Sequence, residues 1–202
     1  MTSGLDLRKI NAADRADCVA MVAPLFEGAP RFLDRLAAAR PFADWASMFA
    51  AARAIAHAMP AIEQIELIDA HPRLGAPPAS VSKLSFLEQG YDRDGADEPA
   101  AQAEPAAQAE AAAQAEAAAR AATAAEIERD RVAAELERLN VAYEIRFGFR
   151  YCLHVAGRSR AALLPAMTAS LDGDSDTERH RALDAVVDIA MDRLAGLLGP
   201  IT

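Results

Sequence analysis

The sequence predicts an all-α protein, folded as a single-domain helical bundle. Hydrophobic residues make up 52% of the 202 residues but aromatic residues only 5%, so alanine and leucine dominate, and both favour helices over sheets. Apolar side chains also recur at helical spacing between stretches that contain helix breakers. A chain of this length fits one domain that buries a core without disulfides or a structural metal.

The first part of the chain is typical of short helices separated by proline and glycine. Asn11 is predicted to cap the first helix, because Asp14 follows three residues later and apolar residues come after it. This helix should end near the Gly-Ala-Pro sequence at 28–30. Three further helices are predicted over 32–37, 45–60 and 62–70.

Bulky apolar residues return in the last third of the chain. Val132, Leu136, Leu139 and Tyr143 follow one another at helical spacing, so one face of this helix should reach the core. The sequence Phe-Gly-Phe at 147–149 interrupts that pattern and predicts an extended segment as far as Gly157. A helix over 159–171 and a last helix follow, the latter with an apolar stripe of Leu183, Val186, Val187, Ala190, Leu194 and Leu197.

Residues 93–125 are predicted to be a low-complexity insertion rich in alanine, glutamate and glutamine. Residues 92–130 hold ten acidic and three basic residues and so carry −7 of the net charge of −9. Because nearly every apolar side chain there is alanine, burial would contribute little. We expect an exposed helix or a partly disordered insertion rather than core.

Several classes of protein are disfavoured by the sequence. There is no basic stripe or zinc-finger spacing that would indicate a nucleic-acid partner. No uncharged apolar run approaches the roughly 18–20 residues that span a bilayer, so no membrane association is expected. Cys18 and Cys152 are the two cysteines, without a CxxC motif or a leader, and a cytoplasmic location is therefore expected.

The stretch HPRLG at 71–75 is the strongest candidate for chemistry. Among the four histidines, His57 and His180 lie near predicted helix ends, where a structural or exposed role is ordinary. His71 ends a helix and enters a loop restricted by proline, where an imidazole can be held at a cavity wall with a pKa near neutrality.

The second candidate is SFLEQ at 85–89. Ser85 and Glu88 have the spacing of a capping box, in which each side chain bonds a free backbone N–H at a helix start. The same helix start can also place its side chains beside the preceding loop and attract an anion. Nothing in this group of residues has the spacing of a metal site, and none is predicted.

Six ordered blocks together resemble a known family, the 2-oxo-4-hydroxy-4-carboxy-5-ureidoimidazoline (OHCU) decarboxylases. The blocks are Asn11, FEGAP at 26–30, ARPF at 39–42, HPRLG at 71–75, SFLEQ at 85–89 and LNVAYEIRFGF at 139–149. Members of that family are enzymes of urate degradation that make (S)-allantoin without a cofactor. The resemblance covers nearly the whole chain apart from the insertion.

The resemblance implies a helical homodimer whose substrate is OHCU, with no cofactor and no metal. It implies that His71 is catalytic and that Glu88 either orients His71 or accepts hydrogen bonds from the substrate. It further implies that the substrate is bound by Pro72, Ser85, Phe86, Leu87, Glu88, Gln89, Tyr151, Cys152, Leu153, His154 and Val155.

One position departs from the family pattern. Relatives usually carry an arginine immediately before the glycine that matches Gly157, and here that residue is Ala156. An arginine fork is a natural anchor for a carboxylate, so Arg158 is a further candidate for substrate binding, although it would equally suit a charged helix start. Two alternatives to an OHCU decarboxylase follow: a related enzyme on a similar ureido or imidazoline acid, and a non-enzymatic interaction protein with the same fold.

Overall fold

The prediction of an all-α fold is confirmed. The computed structural model describes residues 5–76, 81, 82, 84, 85, 89 and 108–198, except the side chains of 108–115. Within these residues it contains eight α-helices and a short 3₁₀-helix at Ala23–Leu25. The α-helices are α1 (Leu7–Ala12), α2 (Arg15–Val22), α3 (Pro30–Ala38), α4 (Trp45–Ala58), α5 (Ala61–Asp69), α6 (Gln108–Phe147), α7 (Arg160–Ser170) and α8 (Ser175–Leu198).

The predicted N-cap at Asn11 is wrong. Asp6 caps α1 and Asp14 caps α2, whereas Asn11 lies inside α1. Its side-chain amide donates to the carbonyl oxygen of Phe42 (2.8 Å) and accepts from the N–H of Phe42 (3.0 Å). Asn11 therefore fastens α1 to the loop before α4, because its side chain satisfies a distant backbone rather than a helix start.

The core is built around α8, which packs against α4, α5 and the 3₁₀-helix. Five of the six residues of its predicted apolar stripe are buried, but Leu197 is 43% exposed, so the stripe ends before it. Ring contacts extend the core toward the end of α6, where Tyr143 packs against Phe147, Phe149 and Tyr151 with centroids 4.5–5.7 Å apart. No described helix has the length and apolar character needed to cross a membrane.

Helix α6 is divided into two unlike halves. From 116 to 131 every side chain is exposed, while the following turns bury Val132, Leu136, Leu139 and Tyr143 as predicted. The part of the predicted insertion that falls in the described residues, 108–125, is helical. Residues 93–107 of that prediction lie outside the described residues, and the bounds of the insertion stay a prediction.

Candidate functional site

His71 lies in the turn that ends α5. Its backbone N–H donates to the carbonyl of Ile68 (3.1 Å), and Pro72 follows at once. The loop is tied down on both sides: the Asn140 amide donates to the Leu74 carbonyl (2.9 Å), and the Gln89 side-chain oxygen accepts from the Gly75 N–H (2.8 Å). Gly75 has a φ of +80°, a conformation that glycine adopts without strain.

The imidazole of His71 is buried and uncharged at neutral pH. Its Nδ1 lies 3.4 Å from the carbonyl oxygen of Leu67. Because a carbonyl only accepts, Nδ1 carries the proton and Nε2 the lone pair. Burial, reinforced by the positive charge of Arg193, lowers the pKa of His71 to about 4, although the Glu27 carboxylate acts in the opposite direction.

The Nε2 atom of His71 is buried and has no hydrogen-bond partner within the part of the chain that the structure describes. A buried nitrogen lone pair without a partner is costly unless another group bonds it. His71 also lines a cavity. The arrangement is that of a neutral base held ready for a proton from a bound molecule.

Ser85 turns its hydroxyl toward charged residues rather than capping a helix. Its backbone N–H is bonded by the side chain of Ser82 (3.2 Å), so Ser82 occupies the capping position. The predicted role of Ser85 as an N-cap is therefore wrong. Its hydroxyl instead donates to Glu27 (2.6 Å) and accepts from Arg193 (3.0 Å).

Glu27 and Arg193 form a buried ion pair behind Ser85. Their closest atoms are 2.8 Å apart, and the Arg193 side chain is 1% exposed. Burial alone would raise the pKa of Glu27, but hydrogen bonds from Ser85 and Ser82 and the charge of Arg193 outweigh it and leave that pKa below its ordinary value. The backbone of Glu27 is left-handed, with a φ of 52°, an uncommon conformation for a residue other than glycine.

The predicted extended segment lies after α6 and is held by arginine side chains. Arg150 bonds Asp69 through its backbone N–H (2.8 Å), and its guanidinium donates to the His71 carbonyl (3.0 Å). Arg181 donates to the Cys152 carbonyl (2.9 Å) and lies 4.7 Å from the centre of the Tyr151 ring. Arginine and aspartate side chains therefore satisfy part of the backbone of this segment.

These elements enclose a cavity of about 270 Å³. It lies between the His71 loop, Ser85, the segment after α6 and one face of α8. A volume of this order suits a small molecule rather than a macromolecule. The lining residues are His71, Pro72, Leu74, Ser85, Gln89, Tyr151, Cys152, Leu153, His154, Val155, Ala156, Gly157, Ile189, Asp192 and Arg193.

The cavity brings together nine of the residues predicted from the sequence. They are His71, Pro72, Ser85, Gln89, Tyr151, Cys152, Leu153, His154 and Val155. Phe86, Leu87 and Glu88 lie outside the described residues, so the predicted roles of these three stay predictions.

Arg158 does not line this cavity. Its guanidinium folds back onto the carbonyls of His154 (2.5 Å) and Val155 (3.0 Å), and it faces a second cavity of about 390 Å³ beside α6 and α7. Ala156 does line the first cavity. The predicted compensation for the missing arginine is therefore not seen in this conformation.

Sequence analysis missed Arg193 and Asp192 at the cavity, and Glu27, the partner of Arg193. His154, which pairs with Asp192, was predicted. A signal for Arg193 was present, since it lies three residues after Ala190 and seven after Val186 and so belongs to the apolar stripe of α8. A charged residue on a buried face needs a buried partner. The sequence does not show that this partner is Glu27, which lies 166 residues away.

The described residues contain no cluster of three or more histidine, cysteine, aspartate or glutamate side chains that could hold a metal ion. The described polar groups at the cavity include the His71 imidazole, the Ser85 hydroxyl, the Gln89 amide, the Arg193–Glu27 ion pair and the hydrogen-bonded side chains of His154 and Asp192.

Comparison with known families matches this chain to the family described as OHCU decarboxylase, over residues 11–109 and 95–195. The chain belongs to the OHCU decarboxylase family. Its 2-oxo-4-hydroxy-4-carboxy-5-ureidoimidazoline decarboxylase relative from Haloferax volcanii is 26% identical, over 95% of both proteins. The uric acid degradation bifunctional protein PucL of Bacillus subtilis is 25% identical over 94% of this chain, which spans only 32% of that longer protein.

Two solved structures share the fold of this OHCU decarboxylase family member. The crystal structure of (S)-allantoin synthase superposes with a TM-score of 0.59 at 18% identity, covering 96% of this chain and 53% of that one. The crystal structure of OHCU decarboxylase in the presence of (S)-allantoin gives a TM-score of 0.57 at 19% identity, covering 87% and 94%. At these identities the likeness establishes the helical architecture alone.

Proposed function

We propose that the protein catalyses the decarboxylation of OHCU to (S)-allantoin without a cofactor. The observation that carries the proposal is the buried, uncharged His71 at the wall of a small-molecule cavity, with an Nε2 that no described residue bonds. Membership of the OHCU decarboxylase family supplies the reaction.

The reaction suits a site of this composition. Loss of carbon dioxide from C4 leaves an electron pair that the adjacent C5=N bond of the imidazoline ring accepts, so the substrate is its own electron sink. The protein has to orient the substrate, hold one proton and return a proton to one face of the ring. His71 Nε2 takes the proton from the side of the 4-hydroxyl and carboxyl groups.

The remaining walls bind and orient the substrate. Ser85, Gln89 and the backbone of 151–155 offer polar groups, while Pro72, Tyr151 and Val155 supply apolar surface. Glu88 completes this set by either orienting His71 or accepting hydrogen bonds from ring and ureido N–H groups. Because the walls of the cavity differ chemically, the proton returns to one face of the substrate ring only, which gives the S product.

A related substrate is the second candidate, and Ala156 favours it. A short side chain stands at the cavity wall where an arginine is usual, and Arg158 is turned onto backbone carbonyls. A substrate without a carboxylate that needs an arginine partner at this position would fit such a wall. Product formation from OHCU and from similar ureido or imidazoline acids, measured side by side, discriminates the two.

Two properties of the molecule remain part of the proposal. A homodimer is supported by the family resemblance and by apolar side chains on the outer face of α6, where Val141 is 43% and Ile145 is 81% exposed. A cytoplasmic location is supported by the sequence of the chain, with its two buried free cysteines.

Circular dichroism on freshly generated OHCU tests the reaction and the base together. OHCU decays unaided to racemic allantoin, so only an enzyme produces a lasting signal of (S)-allantoin. We expect this signal with the wild-type protein and with Arg138→Gln, a change at a 60% exposed side chain on α6, but not with His71→Asn. Absence of the signal with the folded wild-type protein would refute the activity.

A further inference from the structure

We propose that Arg193 is a positioning residue: with Glu27 it orients the Ser85 hydroxyl, and it places a positive charge at the cavity wall that also carries His71. The inference deepens the proposed decarboxylation and rests on it. The buried positions of the α8 apolar stripe from Leu183 to Leu194 hold aliphatic side chains, and Arg193 lies among them. An aliphatic side chain would fill such a position equally well. Because burying a charge is costly, the guanidinium of Arg193 indicates a role for its charge and its hydrogen bonds.

The guanidinium of Arg193 does two separate things. Nη1 donates to the carbonyls of Pro24 and Leu25, both at 3.2 Å, and so closes the end of the 3₁₀-helix. Nη2 donates to Glu27 (2.8 Å) and to the Ser85 hydroxyl (3.0 Å). Of these four bonds, those made by Nη2 reach the wall that carries His71 and Ser85.

These bonds decide what Ser85 can offer to a substrate. A serine hydroxyl has one proton and two lone pairs. The proton is directed to Glu27 and one lone pair accepts from Arg193. The remaining lone pair lies 3.2 Å from the Ser82 hydroxyl, but the single Ser82 proton has a nearer acceptor in Glu27, at 2.8 Å. Toward the cavity Ser85 therefore offers a lone pair, suited to an N–H of the imidazoline ring or the ureido group.

The charge of Arg193 also acts on His71. Burial lowers the pKa of the imidazole most, the charge of Arg193 lowers it further, and the Glu27 carboxylate raises it. Among the described residues, other charged or titratable groups at the same cavity are the Cys152 thiol and the paired side chains of Asp192 and His154. The nearby loop is bonded by Arg150 and Asp69. Tyr151, with a raised pKa, lines the cavity as a neutral side chain.

A neutral His71 matters for decarboxylation. An imidazolium would form an ion pair with the substrate carboxylate and stabilise the ground state, from which carbon dioxide has yet to leave. A neutral imidazole with a free Nε2 lone pair instead accepts a proton as the reaction proceeds. Arg193 thus supports the reaction indirectly, since its charge adds to the effect of burial in keeping His71 uncharged.

Proton NMR titration of the His71 ring, assigned with His71→Asn, tests the electrostatic half without any substrate. We expect His71 of the wild-type protein to stay neutral from pH 5.5 to 8. Arg193→Gln should move its titration to higher pH, because a nearby positive charge is gone. Adding Glu27→Gln to that variant should move it back down, because the opposing negative charge is gone too. Arg138→Gln, the same change on the exposed face of α6, should leave it unmoved.

An upward shift of the His71 titration in Arg193→Gln and a downward shift on adding Glu27→Gln together support the proposal. A merely structural role of Arg193 would lower stability and leave the His71 titration where it is. An unmoved titration in folded Arg193→Gln, or a further upward shift in the double variant, would overturn it. Because this measurement needs no turnover, it stands even if the wild-type protein makes no allantoin, in which case the proposed reaction fails by itself.

Arg193→Lys tests the positioning half by kinetics. Lysine keeps the charge but cannot hold the Ser85 hydroxyl, Glu27 and two carbonyls at once. We expect the acid limb of the kcat/KM profile to stay in place while kcat falls roughly 10-fold to 100-fold, as misplaced catalytic groups typically cause. If Arg193→Gln does not fold, this variant decides the matter, and an unchanged kcat would refute the role.

Discussion

The two halves of α6 have the same backbone conformation but opposite surroundings. Residues 116–131 expose every side chain, while the turns after them bury Val132, Leu136, Leu139 and Tyr143. The first half is held by alanine propensity and ion pairs within its own helix, such as Glu116–Arg120. The second half is held by tertiary packing.

The same contrast separates two arginine–glutamate pairs. The side chains of Arg120 and Glu116 are 76% and 66% exposed, whereas those of Arg193 and Glu27 are 1% and 16% exposed. An exposed pair stabilises a helix slightly, but a buried pair fixes a charge where a reaction can use it. Burial, and not residue type, therefore decides what each region of this protein contributes.

A matched pair of truncations on α6 should give the largest difference. Leu136 is 1% exposed and Ile127 is 65% exposed. Leu136→Ala should lower the free energy of unfolding by about 4 kcal/mol through lost burial and a cavity, while Ile127→Ala should change it by less than about 0.5 kcal/mol. Urea unfolding measures both, and equal losses would contradict the division of α6.

The ion pairs should differ almost as much. Glu27→Gln removes the carboxylate that lies 2.8 Å from the buried Arg193 guanidinium. It should cost about 3 kcal/mol, near the lower end for breaking a buried pair, since Ser85 and two carbonyls still bond the guanidinium. Glu116→Gln should cost no more than about 0.5 kcal/mol. Similar losses in urea unfolding would mean that burial does not distinguish the pairs.

The burial of His71 predicts a stability that depends on pH. Its pKa is about 4 in the folded protein and near 6.5 when unfolded, so the unfolded chain binds the extra proton between these values. Stability is therefore lost as pH falls, by about 2 kcal/mol from pH 7 to pH 5 for this residue alone. Urea unfolding at pH 7 and pH 5 measures this loss in the wild-type protein and in His71→Asn. The wild-type protein should lose about 2 kcal/mol more than the variant between the two pH values. Equal losses would show that His71 is not the cause.

Deletion of residues 99–124 should have the smallest effect on turnover. The described side chains of this stretch, from 116 on, are exposed, and none lines the His71 cavity. We expect allantoin formation within about twofold of wild type, because the groups that contact the substrate are untouched. A large loss of turnover, or loss of a bound partner in a pull-down, would instead favour an interaction role for the insertion.

The helical fold was predictable because its signals are local. The 3.6-residue periodicity of bulky side chains marks α8 and the second half of α6, and breakers mark the turns between the early helices. Asn11 shows where this approach fails, since its side chain bonds Phe42, 31 residues away. A polar side chain that serves a distant backbone looks the same in sequence as a helix cap.

The site was predictable in part for the same reason. His71 lies in the HPRLG block and the segment 151–155 follows the LNVAYEIRFGF block, and the cavity brings them together. Arg193 and Glu27 are 166 residues apart in the sequence, and their pairing depends on how α8 packs on the 3₁₀-helix. A single charged residue within an apolar stripe shows that a buried partner exists without showing which one it is.

Arg150 joins two walls of the cavity through one side chain. It bonds the carbonyls of Asp69 and His71 with its guanidinium, while its backbone continues directly into the segment that starts at Tyr151. In mechanical terms this side chain is a crosslink between the wall proposed to bind the substrate and the residue proposed to take its proton. We therefore expect a displacement of the 151–155 wall to be transmitted to the backbone of His71, so that ligand fit and placement of the base are linked.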